Sequence, residues 1–242
     1  QSFSVFGVDV SAYPEISAKY LALDPSGKPL TNLFTDDFTI TDNGVNAQVV
    51  LQSQCPPVEA AGPASVVLVN DRSGSMSEET ESGASRLEIV KGGTRAFLTA
   101  FDFQRGSAVA LTAFNSKPSI LSDFRTSSAP LIAAIDTMSP DGGTDYNPAF
   151  LDALVGGIAM LAERPSNHRK ILVFLTDGLP GTLTKTAEII NRAIALDIEI
   201  HVITIGLTIP ATLRQIAEAT GGTWYSNVNS SAEMEGIYRT IA

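Results

Sequence analysis

The sequence predicts an α/β fold: a doubly wound, mostly parallel sheet flanked by helices, with a small all-β module ahead of it. Three observations predict this. From Ser65 onward, apolar runs of strand length alternate with segments of helical spacing, the pattern of a parallel sheet covered on both faces. Before residue 57 the apolar runs are short and separated by turn residues, and none has a helical period. Two runs, Val66-Val67-Leu68-Val69 and residues 171–175, are apolar throughout, as strands buried on both faces are. The expected organisation is an antiparallel β module over 1–57, a linker over 58–64 and the α/β domain over 65–242.

In the first module, Val5-Phe6-Gly7-Val8-Asp9-Val10 and residues 16–23 read as strands. The second strand stops at Asp24-Pro25-Ser26-Gly27, where Asp, Pro and Gly each favour a turn. Residues 38–41 and 45–51 flank Asp42-Asn43-Gly44, and Asn-Gly between alternating strands is a strong hairpin signal. Pro56, Pro57, Gly62 and Pro63 mark the linker.

In the second domain, residues 66–70 form the first strand, and 86–103 carry Leu87, Val90, Phe97, Leu98 and Phe101 at helical spacing. Strands are expected over 107–114 and 119–121. A short helix over 131–135 follows capping-type Ser127 and Ser128, with Pro130 near its start. Asn147-Pro148 opens the next helix as cap and first-turn proline, with Leu151, Leu154, Ile158 and Leu161 on its apolar face. The apolar strand 171–175 precedes a helix over 185–195, a strand over 199–205, a helix over 211–219, a strand over 223–225 and a closing helix over 232–241.

Composition narrows the function classes. Hydrophobic residues make up 44% and charged residues 17% of 242, a globular rather than disordered balance. The net charge of −10, with only 16 thinly spread basic residues, argues against a nucleic-acid surface. No apolar stretch approaches the ~20 residues a membrane helix needs. Cys55 is the single cysteine, so an internal disulfide and a multi-cysteine metal site are excluded. Its neighbours Gln54, Pro56 and Pro57 read as linker, and a free thiol is expected. The chain opens on Gln1 without a charged-then-apolar leader, which reads as a mature or excised fragment.

In doubly wound sheets, ligands gather beyond the carboxyl ends of the strands. Three polar clusters fall there: Asp71-Arg72-Ser73-Gly74-Ser75, Asp141-Gly142-Gly143-Thr144-Asp145 and Thr176-Asp177-Gly178-Leu179-Pro180. The first places a carboxylate and two hydroxyls at alternate positions past a strand, all oxygen ligands of the kind hard cations prefer. Mg²⁺ gives up its waters reluctantly. Two hydroxyls and one or two carboxylates leave such an ion net positive and short of ligands, so an external carboxylate can replace a water.

Asp-x-Ser-x-Ser after the first strand, Gly-Gly-Thr-Asp about 70 residues on, and Thr-Asp-Gly after the apolar strand together resemble the von Willebrand factor type A domain over roughly 64–242. The resemblance implies a metal-ion-dependent adhesion site formed by Asp71, Ser73, Ser75, Thr144 and Asp177, loaded with Mg²⁺ or with Ca²⁺ or Mn²⁺. Asp71, Ser73 and Ser75 would bind the ion directly or through water. Thr144 and Asp177 would exchange direct and water-mediated roles as affinity changes, coupled to movement of the last helix. Arg72 and Asp145 are placed on the ligand side; each is also explained as an exposed loop charge. His168, in a polar turn, reads as a surface histidine, and His201, inside a strand, as structural. Tyr13-Pro14-Glu15-Ile16, Asp24-Pro25-Ser26-Gly27-Lys28-Pro29 and Ile40-Thr41-Asp42-Asn43-Gly44-Val45 look like a module that precedes such domains in bacterial secreted or surface proteins.

The expectation is therefore a non-enzymatic, metal-dependent binding domain at a bacterial surface or outside the cell. Its partner would be a protein or other acidic ligand, and no nucleic acid. The alternative is a Mg²⁺-dependent hydrolase or phosphotransferase with Asp71 as nucleophile. That chemistry wants a second carboxylate two residues later, where this chain has Ser73. The chain lacks a G-x-x-x-x-G-K-[ST] loop, a G-x-G-x-x-G turn after the first strand and a G-x-S-x-G elbow.

Overall fold

Short strands rich in β-branched and aromatic residues shape the first part of the chain. β1 (Ser2–Asp9) pairs antiparallel with β2 (Ser17–Leu23), from Ser2 opposite Leu23 to Asp9 opposite Ser17, with a register shift between Phe6 and Asp9. On this hairpin the rings of Phe3 and Tyr20 stack 5.9 Å apart, and Phe38 meets Tyr20 edge-on at 4.8 Å. A 3₁₀ turn at Thr35–Asp37 precedes a second hairpin, β3 (Thr41–Asp42) with β4 (Val45–Asn46). Its turn contains Gly44 at φ +82°, the conformation glycine tolerates best.

The computed structural model describes residues 2–9, 14, 16–23, 30, 33, 35–42, 44–46, 62–178 and 183–241. The turn at 24–27, Tyr13, Glu15, Asn43, the strand residues expected over 47–51, Cys55 with its linker prolines, and Leu179-Pro180 lie outside the described residues. By its contacts the chain divides into Gln1–Ala61 and Gly62–Ala242.

In the second unit the apolar run becomes β5 (Ala64–Asp71), buried from Ser65 to its end. After a 3₁₀ turn at Gly74–Ser77, α1 (Arg86–Ala100) begins at a capping box in which Ser85 and Glu88 each bond the other's backbone N–H. The helix stops short of the expected residue 103. Phe101 turns to an extended conformation, and Asp102 Oδ1 accepts from Gln104 N–H to start a 3₁₀ turn. β6 (Ala108–Phe114), β7 (Pro118–Arg125) and α2 (Ser128–Asp136) follow.

One expected helix is two. α3 (Tyr146–Leu151) and α4 (Gly157–Ala162) are separated because Asp152 Oδ1 accepts from the N–H groups of Leu154 and Val155 at 2.9 and 3.0 Å. Only glycine fits at 156, where a Cβ would lie 2.6 Å from the Asp152 nitrogen. Leu154, expected on the apolar face, is 82% exposed. The N-cap is Asp145, whose carboxylate accepts from Asn147 N–H, rather than Asn147. β8 (Arg169–Thr176), α5 (Thr186–Ala195), β9 (Ile198–Ile205), α6 (Ala211–Ala219), β10 (Trp224–Val228) and α7 (Ser231–Ile241) complete the unit.

The sheet order is β10-β9-β8-β5-β6-β7, parallel throughout except for β7 at one edge. Side chains on successive strand residues face opposite ways, so each strand serves two cores. Val66 and Leu68 with Ile171, Val173 and Leu175 join one core, packed with α1, α2 and α7. Val67 and Val69 with Leu172 and Phe174 join the other, packed with α3 to α6. In the second core, Phe174 stacks on Phe150 at 4.3 Å and on Phe114 at 5.0 Å and meets Tyr146 edge-on. Burying such a ring contributes on the order of 3 kcal/mol. In the first, Tyr238 of α7 lies 4.7 Å from Phe97 of α1. No helix of the described residues is long and apolar enough to cross a membrane.

This topology sets the site. From β5 the chain moves one way to β6 and β7, then returns to the other side of β5 with β8, β9 and β10. The order reverses at β5, and in open α/β sheets such a reversal leaves a crevice beyond the carboxyl ends of the strands. β5 ends at Asp71 and β8 at Thr176, so both polar loops open there.

Candidate metal centre

Asp71 is fully buried, and both of its carboxylate oxygens accept hydrogen bonds. Ser73 N–H donates to Oδ1 at 2.7 Å and Thr176 Oγ1 donates to Oδ2 at 2.7 Å. Burial pushes the Asp71 carboxyl up to about 6; the bonds from Ser73 and Thr176 oppose the rise, and the charge of Asp177 adds to it. Because the Thr176 proton is committed to Asp71, the Tyr146 hydroxyl, 2.9 Å away, donates to Thr176 Oγ1. Gly178 N–H donates to the same oxygen at 3.2 Å. Burial drives the Tyr146 phenol well above its usual range, so it stays a neutral donor.

Past Asp71 the chain turns into the 3₁₀ segment, which brings the Ser73 and Ser75 hydroxyls within 3.2 Å of each other. Ser73 is buried and Ser75 half-buried. Asp177 is fully buried one residue past β8, and its Oδ2 accepts from Arg86 Nη1 at 3.0 Å. That nitrogen also donates to the Ser75 carbonyl at 3.2 Å. Arg86 Nη2 meets Glu78 Oε2 at 3.0 Å.

The third loop is stitched to the first through its backbone. Gly74 N–H donates to the Gly142 carbonyl at 3.0 Å, and Asp141 N–H to the Arg72 carbonyl at 2.7 Å. Asn115 completes the brace: its side chain donates to the Asp141 carbonyl, and its own carbonyl accepts from Asp145 N–H. Thr144 is half-buried within this braced segment. Asp145 caps α3, and Asn147 Oδ1 accepts from the N–H groups of Thr184 and Lys185. Arg72 is half-buried, and its Nε has no hydrogen-bond partner.

The structure thus gathers Asp71, Ser73, Ser75 and Asp177 at the ends of two neighbouring strands, with the Thr144 loop bonded to the first. The donor set is all oxygen, two carboxylates with hydroxyls, and suits a hard cation. Among the described residues no group of three or more His, Cys, Asp or Glu side chains forms a metal cluster. Sequence reasoning missed Arg86, Thr176 and Tyr146. Thr176 is visible in Thr-Asp-Gly but has its effect through Asp71; Arg86 reads as an ordinary first residue of a helix, and Tyr146 falls just ahead of the expected cap Asn147.

Residues 66–179 match the model of the von Willebrand factor type A domain family. Among solved structures, the chain is similar to a von Willebrand factor type A protein from Catenulispora acidiphila. They share 21% identity over 74% of this chain and 42% of the other, with a TM-score of 0.60. A mutant of the PilB minor pilin from Streptococcus sanguinis matches at 16% identity and TM-score 0.58, over 76% and 62%. Proximal thread matrix protein 1 from the mussel byssus, with a zinc-occupied MIDAS motif, matches at 18% and 0.54, over 74% and 47%. The chain spans less than two thirds of each of these proteins. None of the curated proteins matches it.

Proposed function

Given that residues 66–179 form a von Willebrand factor type A domain, a family of mostly non-enzymatic ligand-binding modules, we propose that this chain binds a partner through a divalent cation. Asp71, Ser73, Ser75, Thr144 and Asp177 hold the ion, and an acidic group of the partner completes its coordination. Mg²⁺ is the expected ion, with Ca²⁺ or Mn²⁺ as substitutes. The bound ion would act as a Lewis acid toward the partner's carboxylate.

The observation that carries this reading is the state of Asp71. It is fully buried at the end of β5, close enough to the buried Asp177 to feel its charge, with the Ser73 and Ser75 hydroxyls 3.2 Å apart just past it. A buried carboxylate in that condition gains most from a cation at its remaining lone pairs. The protein's own groups prepare the place. Thr176 and Ser73 N–H orient Asp71, the 3₁₀ turn pairs the two serine hydroxyls, and the backbone bonds to Gly142 and Asp141 bring the third loop alongside.

The partner is a protein or another acidic ligand, met outside the cell at a bacterial surface, with Arg72 and Asp145 flanking the contact. The zinc-occupied MIDAS motif of proximal thread matrix protein 1 from the mussel byssus, a structural relative, supports metal loading.

Mn²⁺ titrated into the wild-type protein and followed by electron paramagnetic resonance tests the metal step directly. One saturable site is expected, stripped by EDTA and lost in Asp71→Ala. Mn²⁺ uptake that Asp71→Ala leaves intact would sink the reading.

A further inference from the structure

Among the described residues Arg86 is the third buried charged side chain at this end of the sheet, with Asp71 and Asp177, and the proposed ligand set does not account for it. The Ser85–Glu88 capping box places it as the first residue of α1. Its side chain is only 8% exposed, yet it reaches Asp177 Oδ2 at 3.0 Å, the Ser75 carbonyl at 3.2 Å and Glu78 at 3.0 Å. The fold makes room for it at Gly206, just past β9, where a Cβ would stand 3.3 Å from Arg86 Nε. Gly206 also has φ +70°, so two independent constraints keep that position open.

The partners are unequal. Asp177 is fully buried, whereas Glu78 is 59% exposed and screened by solvent. A guanidinium stays charged when buried and can fork between a carboxylate and a carbonyl, which an ammonium does poorly. Arg86 therefore places a fixed positive charge against one of the two site carboxylates and leaves the other, Asp71, uncompensated.

We propose that Arg86 is a resident cation of the metal centre. Without a divalent ion, its guanidinium neutralises Asp177. With an ion bound, it competes for Asp177 and weakens the ion's hold. Two carboxylates around a divalent ion would make a neutral centre; the buried guanidinium leaves it net positive. That surplus charge strengthens the draw on an acidic partner and so sets the specificity of the site. The inference rests on the metal-dependent reading above.

Mn²⁺ binding and thermal unfolding of wild type, Arg86→Met, Arg86→Lys and Glu78→Gln test it, with acetate as the carboxylate probe. Arg86→Met should lower the melting temperature of the metal-free protein, because the buried Asp177 loses its guanidinium. It should nonetheless bind Mn²⁺ about tenfold more tightly, and once loaded bind acetate about tenfold more weakly. Arg86→Lys should stay within about threefold of wild type on both counts, since it keeps the charge. Glu78→Gln, an exposed change that frees Arg86 toward the site, should weaken Mn²⁺ binding about twofold.

Equal or weaker Mn²⁺ affinity in a folded Arg86→Met overturns the proposal, as does the same gain in Arg86→Lys. If Arg86→Met does not fold without metal, tighter Mn²⁺ binding by Glu78→Gln overturns it and weaker binding supports it. A wild-type protein that takes up no Mn²⁺ removes the metal-dependent reading itself, a different result from unchanged affinity in the variants.

Discussion

Two carboxylates, Glu199 and Asp71, stand at opposite ends of the same sheet, and their surroundings are built in opposite ways. At the amino end, Glu199 of β9 accepts from Arg169 of β8 through both guanidinium prongs, at 2.9 and 2.8 Å, with His201 Nε2 3.6 Å away. Burial works against its charge, but His201 and Arg169 together pull the carboxyl down to about 2. At the carboxyl end, Asp71 has hydroxyl and amide donors but the nearest charge shaping its ionisation is another carboxylate, and it rises to about 6. A carboxylate that serves structure is saturated with cations. The one at Asp71 is fully buried and held by hydroxyl and amide donors.

The largest expected contrast comes from pH. The folded pKa of Asp71 lies above its ordinary 3.8, so the folded metal-free protein holds that proton more tightly than the unfolded chain does. Its contribution is therefore most favourable below about pH 4, falls by on the order of 3 kcal/mol as pH rises through about 6, and then levels. Urea denaturation in EDTA across this range should show the decline in wild type and a flatter profile in Asp71→Asn. An unchanged slope in that variant would place the titration elsewhere.

Thr176→Val comes next. It removes the donor to Asp71 and the acceptor of Tyr146, both buried, and should cost about 2 kcal/mol at neutral pH. Equilibrium unfolding would detect it, and a loss below about 0.5 kcal/mol would mean that the network behind Asp71 is slack.

Glu199→Gln should show the smallest effect and the opposite sign with pH. The folded pKa of Glu199 is depressed from 4.5, so its stabilisation is present above that value and fades as pH falls toward 2. Because Arg169 and Glu199 are part-exposed, solvent screening reduces the cost to about 1 kcal/mol at neutral pH, and less in high salt. A salt-independent loss would put Glu199 in the same class as Asp71 and erase the contrast.

Much of this was legible in the chain. The apolar runs at 66–69 and 171–175 have the length and β-branched content of strands covered on both faces, and polar loops directly after them fall at the sheet's carboxyl end by connectivity alone. The errors lie where a side chain competes with the local pattern. Leu154 kept helical spacing with Leu151 and Ile158, but the Asp152 side chain took the N–H groups that would have continued the helix. Asn147 read as a cap because Pro148 follows it, yet Asp145 supplies the capping oxygen.

By itself the sequence determined the fold class, the alternation of strands and helices, and three oxygen-rich loops at strand ends. These follow from side-chain periodicity and chain order, which are local properties. Only the tertiary structure decided which groups meet there. Thr176 reaches Asp71 across 105 residues, and Arg86 reaches Asp177 across 91, because β8 lies beside β5 and α1 begins over their ends. Strand order and helix packing set those distances through the whole core, and no short stretch of sequence encodes them.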